Sequence, residues 1–407
     1  MITLELELSQ EDQAFRDEVR AFIDEAFTPD LRKAAQQQAG IFAHPSVGQE
    51  WQRRLYRRGW GAPTWPKQWG GAEFTPIQRY IFSIECASAG TPVFGAMGLQ
   101  MCGPVLMKYG TAEQQQRFLP RIPSVQDYWC QGFSEPGAGS DLPALRCAAV
   151  RDGEHYLVNG SKIWTTHAQY ANWIFMLVRT SKEGKRQAGI TFLLSPMDAP
   201  GITVRPIRSM SGEHEVNEVF FDQVRVPLSF RVGEENQGWE IAKYLLMNER
   251  GGGSAAAALK SALFRTRAVI ALEKNDEGAS LLADAYFKDK LAMLEIEIAA
   301  VEAMERRNVS QAALPAGAAM ANASMQKLKV SAMLQKIAEL AVDAIGPAAM
   351  IDFRDMLYGP EYATGAPRDL DHRATVVARH LNLRATTIFG GSSEIQKGII
   401  ASAALGL

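Results

Sequence analysis

The sequence predicts an α+β multidomain protein, with an N-terminal helical domain over residues 1–126, a middle β-barrel or sandwich domain over 127–231 and a C-terminal four-helix bundle over 232–407. Three observations predict it. The chain of 407 residues exceeds the roughly 250–300 at which one hydrophobic core stops growing. Apolar residues recur at helical spacing in both outer parts. Between those parts, Gly-bearing turn pairs delimit short runs of strand-forming residues.

The first helix starts at Ser9 with an acidic first turn, and Phe15, Val19, Phe22 and Ile23 then recur at helical spacing until Pro29. Thr111-Ala-Glu-Gln114 is a capping box. Residues 59–71, rich in Gly, Pro and Trp, break the helical pattern and are expected as a buried loop. After Asp127 the texture changes. Asp152-Gly153 and Asn159-Gly160 bracket a run at 154–158, the spacing of consecutive hairpin turns. Further strands are expected at 190–194, 202–206 and 218–226.

Past Gly238 the helical period returns. Phe287, Leu291, Leu294, Ile298 and Val301 step by four and three, as do Val330, Leu334, Ile337 and Ala341 before Gly346-Pro347. The Ala-rich stretch 308–324 is expected to connect two long helices. Loop 358–372 exceeds ordinary connection lengths, so it covers a site, meets a partner or stands in solvent.

Composition excludes several functions. With 47% hydrophobic residues, 22% charged and a net charge of -2, the chain is neither a disordered segment nor a nucleic-acid binder. Cys86, Cys102, Cys130 and Cys147 show no CxxC spacing, so free thiols in a reduced compartment are expected and no metal site is. Met-Ile-Thr-Leu-Glu-Leu-Glu-Leu at the start has no basic leader pattern, and no run reaches about 18 consecutive apolar residues. A cytoplasmic protein with no membrane span is the expectation.

Two segments carry the chemistry: 134–141, Ser-Glu-Pro-Gly-Ala-Gly-Ser-Asp, and 162–167, Lys-Ile-Trp-Thr-Thr-His. Gly137 and Gly139 let backbone approach a ligand closely, while Ser134, Ser140 and Asp141 offer oxygens around it. Alone, the first segment reads equally as a surface turn, Trp164 as a core indole, and His167 as a polar strand end without a catalytic task. Their order decides. With Tyr109-Gly-Thr-Ala-Glu-Gln114 upstream, and Asn217-Glu-Val-Phe-Phe-Asp222 and Val224-Arg-Val-Pro227 downstream, they resemble the acyl-CoA dehydrogenase family over nearly the whole chain.

The resemblance implies an FAD enzyme that makes a trans-2-enoyl-CoA from an acyl-CoA and passes electrons to electron-transferring flavoprotein. Ser134 with nearby amides would bond the flavin pyrimidine edge, Thr166 flavin N5, and Trp164 would pack on the ring; donors at that edge stabilise charge arriving with the hydride. Ser392 and Glu394 fall at cofactor positions, and Ser140 and Arg250 on the substrate side.

Most members carry a catalytic glutamate in an aromatic-Glu-Gly-Thr segment. Here Phe389-Gly390-Gly391-Ser392-Ser393-Glu394 puts Gly390 at that place, leaving only its backbone N–H to polarise the thioester carbonyl. A second family arrangement sets the glutamate on the first bundle helix before an arginine, matching Asn248-Glu249-Arg250, so Glu249 is the expected base. Glu394 is the rival carboxylate. Gly251, Gly252 and Gly253, each costing a helix about 1 kcal/mol, make room beside a bulky acyl group or break the helix.

Two family stretches that clamp the FAD adenosine half, Arg-x-x-Phe-Gly and Gln-x-x-Gly-Gly, are replaced by Ala271-Leu-Glu-Lys-Asn-Asp-Glu-Gly278 and Asp343-Ala-Ile-Gly-Pro347. That resembles the flavin-bearing subunit of two-gene bacterial enzymes of pimeloyl-CoA and sterol side-chain degradation. An α2β2 heterotetramer with a homologous companion subunit is therefore expected, with a homo-oligomer as the rival. Alternatives in function are a flavin monooxygenase or oxidase on the same fold, and a non-catalytic subunit.

Overall fold

The computed structural model describes residues 8–95, 97–251, 254–310 and 316–407; within them, the side chains of 248–251, 308–310, 316, 363 and 405 are outside the description. Six helices open the chain: α1 (Gln10–Ala26), α2 (Pro29–Gln36), α3 (Pro45–Arg57), α4 (Pro76–Ala89), α5 (Gly103–Tyr109) and α6 (Ala112–Phe118). The Ser9 side chain accepts from the Asp12 N–H at 3.1 Å, so the expected start is the observed one, and Phe15, Val19 and Ile23 form its buried stripe. Both α4 and α6 open on capping boxes, Thr75 with Gln78 and Thr111 with Gln114. Gln114 does more. Its buried amide donates to the carbonyls of Ser229 at 2.7 Å and Arg231 at 2.8 Å, bolting this cap to the neighbouring sheet. Segment 59–71 is the buried connection expected, with Trp60, Ala62 and Trp65 in the core.

The middle elements are β1 (Trp129–Gly132), β2 (Ala148–Asp152), β3 (His155–Thr166), β4 (Trp173–Arg179), β5 (Ile190–Pro196), β6 (Ile202–Ile207), β7 (Val216–Pro227) and β8 (Arg231–Val232). They form one sheet in the order β6-β7-β3-β2-β4-β5-β8, with β1 pairing β4. One face, with Tyr156, Val158, Met176, Val178, Val219 and Phe221, closes on itself as a core. The other, through Phe175, Leu177, Phe192 and Leu194, packs on α5 and on Ile241 and Leu245 of the following helix. Burial on both sides explains why β4 and β5 read as unbroken apolar runs while β3 and β7 alternate.

One turn expectation fails. Gly153 does turn the chain from β2 to β3, but Asn159-Gly160 lies inside the twelve-residue β3. The β3–β7 register shifts between Val158 and Gly160 there, and Asn159 Oδ1 accepts from the Gln223 N–H at 2.9 Å. The Asn-Gly pair is a bulge because β7 supplies pairing on both sides of it. Gly160 is required: its φ is 141°, and a Cβ would sit 2.7 Å from the Cys147 Cα.

The remaining helices are α7 (Gly238–Gly251), α8 (Ala255–Leu272), α9 (Ala285–Ser310), α10 (Ala316–Ile345), α11 (Arg354–Tyr358), α12 (Ala374–Asn382) and α13 (Ser393–Ile400). α8, α9 and α10 pack on one another through Leu259, Leu263, Phe287, Leu291, Leu294, Ile298, Met333 and Ile337, and α13 lies along α10. The long helices run further than expected, since α9 reaches Ser310 and α10 begins at Ala316, so helix takes most of the 308–324 stretch. Alanine has the highest helix propensity, and here it prevails. Helix α7 is described to Gly251 and α8 from its N-cap Ser254; the glycine run falls largely on residues 252 and 253, which lie outside the described residues. Among the described residues no helix is long and apolar enough to cross a membrane, no metal-ligating cluster occurs, and the four cysteines are free.

Candidate functional site

The two motif segments lie side by side. The Ile163 N–H donates to the Ser134 carbonyl at 2.9 Å, and the 134–141 loop closes through reciprocal backbone bonds between Glu135 and Ala138, 3.1 and 3.0 Å. A Cβ added to Gly137 or Gly139 would meet nothing within 4 Å, so this loop borders open space. Ser140 and Asp141 are exposed, the latter paired with Arg186 at 3.0 Å.

Beneath the loop is an ion pair that sequence reasoning passed over. Lys162 Nζ, wholly buried, sits 2.7 Å from Glu135 Oε1 and 3.2 Å from the Phe133 carbonyl. Glu135 also accepts from the backbone N–H groups of Arg146 at 2.7 Å and Cys147 at 2.9 Å. A buried charge pair persists only when its remaining hydrogen-bonding sites are met, as they are here. A lysine on the inward side of an alternating strand was the available signal.

At the end of β3 the register against β7 shifts again, between Lys162 and Thr165. Trp164 takes a left-handed φ of 59° there and turns its indole outward, 58% exposed. His167, one residue past Thr166, is also left-handed at 56°. Two such non-glycine residues cost free energy, of order 1–3 kcal/mol each, and surrounding bonds hold them. Asn217 Nδ2 donates to the Thr165 carbonyl at 3.0 Å, the His167 N–H to the Glu215 carbonyl at 2.9 Å, and Tyr128 Oη meets His167 Nδ1 at 2.6 Å. The core-indole reading of Trp164 is thereby excluded.

The other candidates lie on later elements of the chain. Gly390 and Gly391 are left-handed, φ 64° and 82°, beside a half-exposed Phe389. Ser392 caps α13 by accepting from the Ile395 N–H at 3.4 Å, and the exposed Glu394 lies in its first turn, where backbone N–H and the Ser392 hydroxyl hold its carboxyl below the usual range. The bonds of this segment run within it, as from Gln396 Nε2 to the Gly390 carbonyl at 3.0 Å. The backbone of α7 runs through Glu249 and Arg250, whose side chains lie outside the described residues.

A second buried cluster, also unforeseen, abuts the Thr166 end. Glu213 and Glu215, two apart before β7 and both buried, meet the first and third parts of the chain. Tyr362 Oη donates to Glu213 Oε1 at 2.7 Å, and Asn382 Nδ2 to Glu215 Oε2 at 2.9 Å. Loop 358–372 is therefore no free solvent loop: its 3₁₀ turn Pro360–Thr364 holds Glu213, and Arg368 N–H donates to Gln37 Oε1 at 3.0 Å. Burial, reinforced by the neighbouring Glu215, pushes Glu213 up to about 8.

A raised acid binds its proton more tightly in the folded state. Its stabilisation is complete below the ordinary carboxylate range and disappears as pH rises through about 8, at up to roughly 1.4 kcal/mol per pH unit. Urea melts should show stability declining between pH 5 and 8, and Glu213→Gln should flatten that slope and be the more stable protein at pH 8.5. A parallel decline in both proteins would show that Glu213 does not carry the effect.

A helical part, a sheet and a helical bundle meet around the paired glycine-rich and tryptophan-bearing segments, the arrangement expected of a flavin-dependent oxidoreductase. Residues 9–126 match the acyl-CoA dehydrogenase N-terminal domain, 130–224 the middle domain and 236–405 the C-terminal domain. The chain belongs to the acyl-CoA dehydrogenase family, whose cofactor is FAD. It is 35% identical to acyl-CoA dehydrogenase IpdE1 of Mycobacterium tuberculosis, across 88% of this chain and 87% of that one. Among solved structures it is similar to the ChsE4-ChsE5 complex of Mycobacterium tuberculosis, at 31% identity, TM-score 0.80 and 99% of each chain. It is likewise similar to the Tcur3481-Tcur3483 steroid ACAD, at 27% identity, TM-score 0.80 and 99% of each chain.

Proposed function

We propose that this chain is the flavin-bearing subunit of a heteromeric acyl-CoA dehydrogenase that forms trans-2-enoyl-CoA from a bulky, ring-bearing acyl-CoA. The bond from Ile163 N–H to the Ser134 carbonyl carries the reading, because it brings the two family segments together as one surface. The residues fit FAD: open space beside Gly137 and Gly139, and an outward indole at Trp164. Bound FAD supplies the acceptor for a hydride leaving the substrate β-carbon. Ser134 and the loop amides would hold the flavin at its pyrimidine edge, Thr166 at N5 and Trp164 on the ring, and Ser392 and Glu394 would add cofactor contacts.

Glu249 takes the α-proton, the Gly390 N–H polarises the thioester carbonyl, and Ser140 and Arg250 serve substrate binding. Electron-transferring flavoprotein is the oxidant. The steroid named for one relative and the two-chain composition named for another support the ring-bearing substrate and the companion, which supplies the clamps absent at 271–278 and 343–347.

Produced alone, the chain is expected to carry little FAD; produced with the neighbouring homologue, it should be yellow and bleach anaerobically with steroid CoA esters in preference to straight-chain ones. Full FAD loading without a partner would exclude the heteromer. Rapid oxygen consumption with substrate would favour an oxidase.

A further inference from the structure

The family reading leaves His167 and Tyr128 without a task, yet they form a short, buried polar contact beside Thr166. Their Nδ1 and Oη atoms lie 2.6 Å apart, with Tyr128 and His167 both only 6% exposed. The contact joins the segment preceding β1 to the turn after β3, 39 residues later. A Cβ at Gly95 would lie 2.4 Å from Tyr128 Oη and 3.3 Å from His167 Nδ1, so only glycine lets the first helical part close over the pair. Phe42 and Tyr170 set ring centroids 5.7 Å from the imidazole, both edge-on.

Burial, with His44 and His214 nearby, lowers His167 to about 3, so the ring is neutral throughout the working range. Burial likewise raises Tyr128, so the phenol keeps its proton and both groups are neutral. One hydrogen is shared between Oη and Nδ1 in either neutral tautomer, and the 2.6 Å bond fixes the ring orientation. The contact is thus a fixed strut.

What it holds is the strained backbone on either side of Thr166. Trp164 and His167 are left-handed, and without tethers each would relax toward the extended region. The Thr165 carbonyl is tied by Asn217 and the His167 N–H by Glu215, while among the described residues Tyr128 is the hydrogen-bond partner of the His167 side chain. We infer that Tyr128 and His167 are positioning residues which, by holding His167 left-handed, set where Thr166 meets flavin N5. The inference rests on the assignment of Thr166 to the flavin proposed above.

The test is Tyr128→Phe, which removes one oxygen, made in the FAD-loaded enzyme with its companion. The substrate-free visible flavin bands are expected to shift, the midpoint potential to change, and kcat to fall roughly tenfold with KM nearly constant, the pattern of a misplaced transition-state contact. His167→Gln, whose carbonyl can accept from Tyr128, should keep bands close to wild type. If Tyr128→Phe does not accumulate, His167→Phe removes the same bond from the other side and should shift the bands likewise.

Unchanged bands and kcat in the variant lacking the bond overturn the inference, as does an equal shift in His167→Gln. The spectral reading needs neither acyl substrate nor Glu249. It therefore stands or falls separately from the proposed reaction.

Discussion

Glu249→Gln is expected to slow anaerobic bleaching of the flavin by the true acyl-CoA roughly a thousandfold, while FAD content and substrate affinity stay near wild type. The amide keeps the side-chain volume and removes only its capacity to accept a proton. The expectation follows from the proposed assignment of the base to Glu249, since Gly390 has no side chain to offer. Stopped-flow absorbance measures it directly. Bleaching at the wild-type rate would eliminate Glu249 and move attention to Glu394, whose place at the exposed start of α13 makes it the weaker candidate.

Lys162→Met should cost about 3–5 kcal/mol in urea unfolding, because it leaves Glu135 as an uncompensated buried carboxylate. That is a large share of a typical domain stability of roughly 5–15 kcal/mol. The double variant Lys162→Met/Glu135→Gln removes the orphaned charge and keeps one acceptor oxygen, enough for either the Arg146 or the Cys147 N–H in its present place. It should recover much of the loss. The single variant should also bind FAD more weakly, since Glu135 adjoins Ser134 in the loop that borders the open space. A loss below about 1 kcal/mol in the single variant would mean water reaches the pair and screens it.

The sequence made the helical stripes and the order of the parts legible, because burial on one face imposes a period that needs no partner to be read. Phe15, Val19 and Ile23, and Phe287 through Val301, are buried as their spacing requires. Asn159-Gly160 was misread because a turn and a bulge demand the same glycine, and only the strand across from it decides between them. The Ala-rich 308–324 was misread as a connection because composition without apolar periodicity does not mark where a helix ends.

At the site, the family segments were found because glycines and a tryptophan in fixed order are rare. Lys162, Glu135, Glu213 and Glu215 were missed because a charge looks the same in sequence whether it is solvated or buried. Their roles arise from partners tens to hundreds of residues away, Tyr362 and Asn382 among them.

The strap from Pro360 to Arg368 reaches back across the chain to Gln37, Ser46 and Glu213. Consequently the last part of the chain is tied to both earlier parts through one strap, and heat that loosens the bundle there also pulls on the first helices and on the acidic turn.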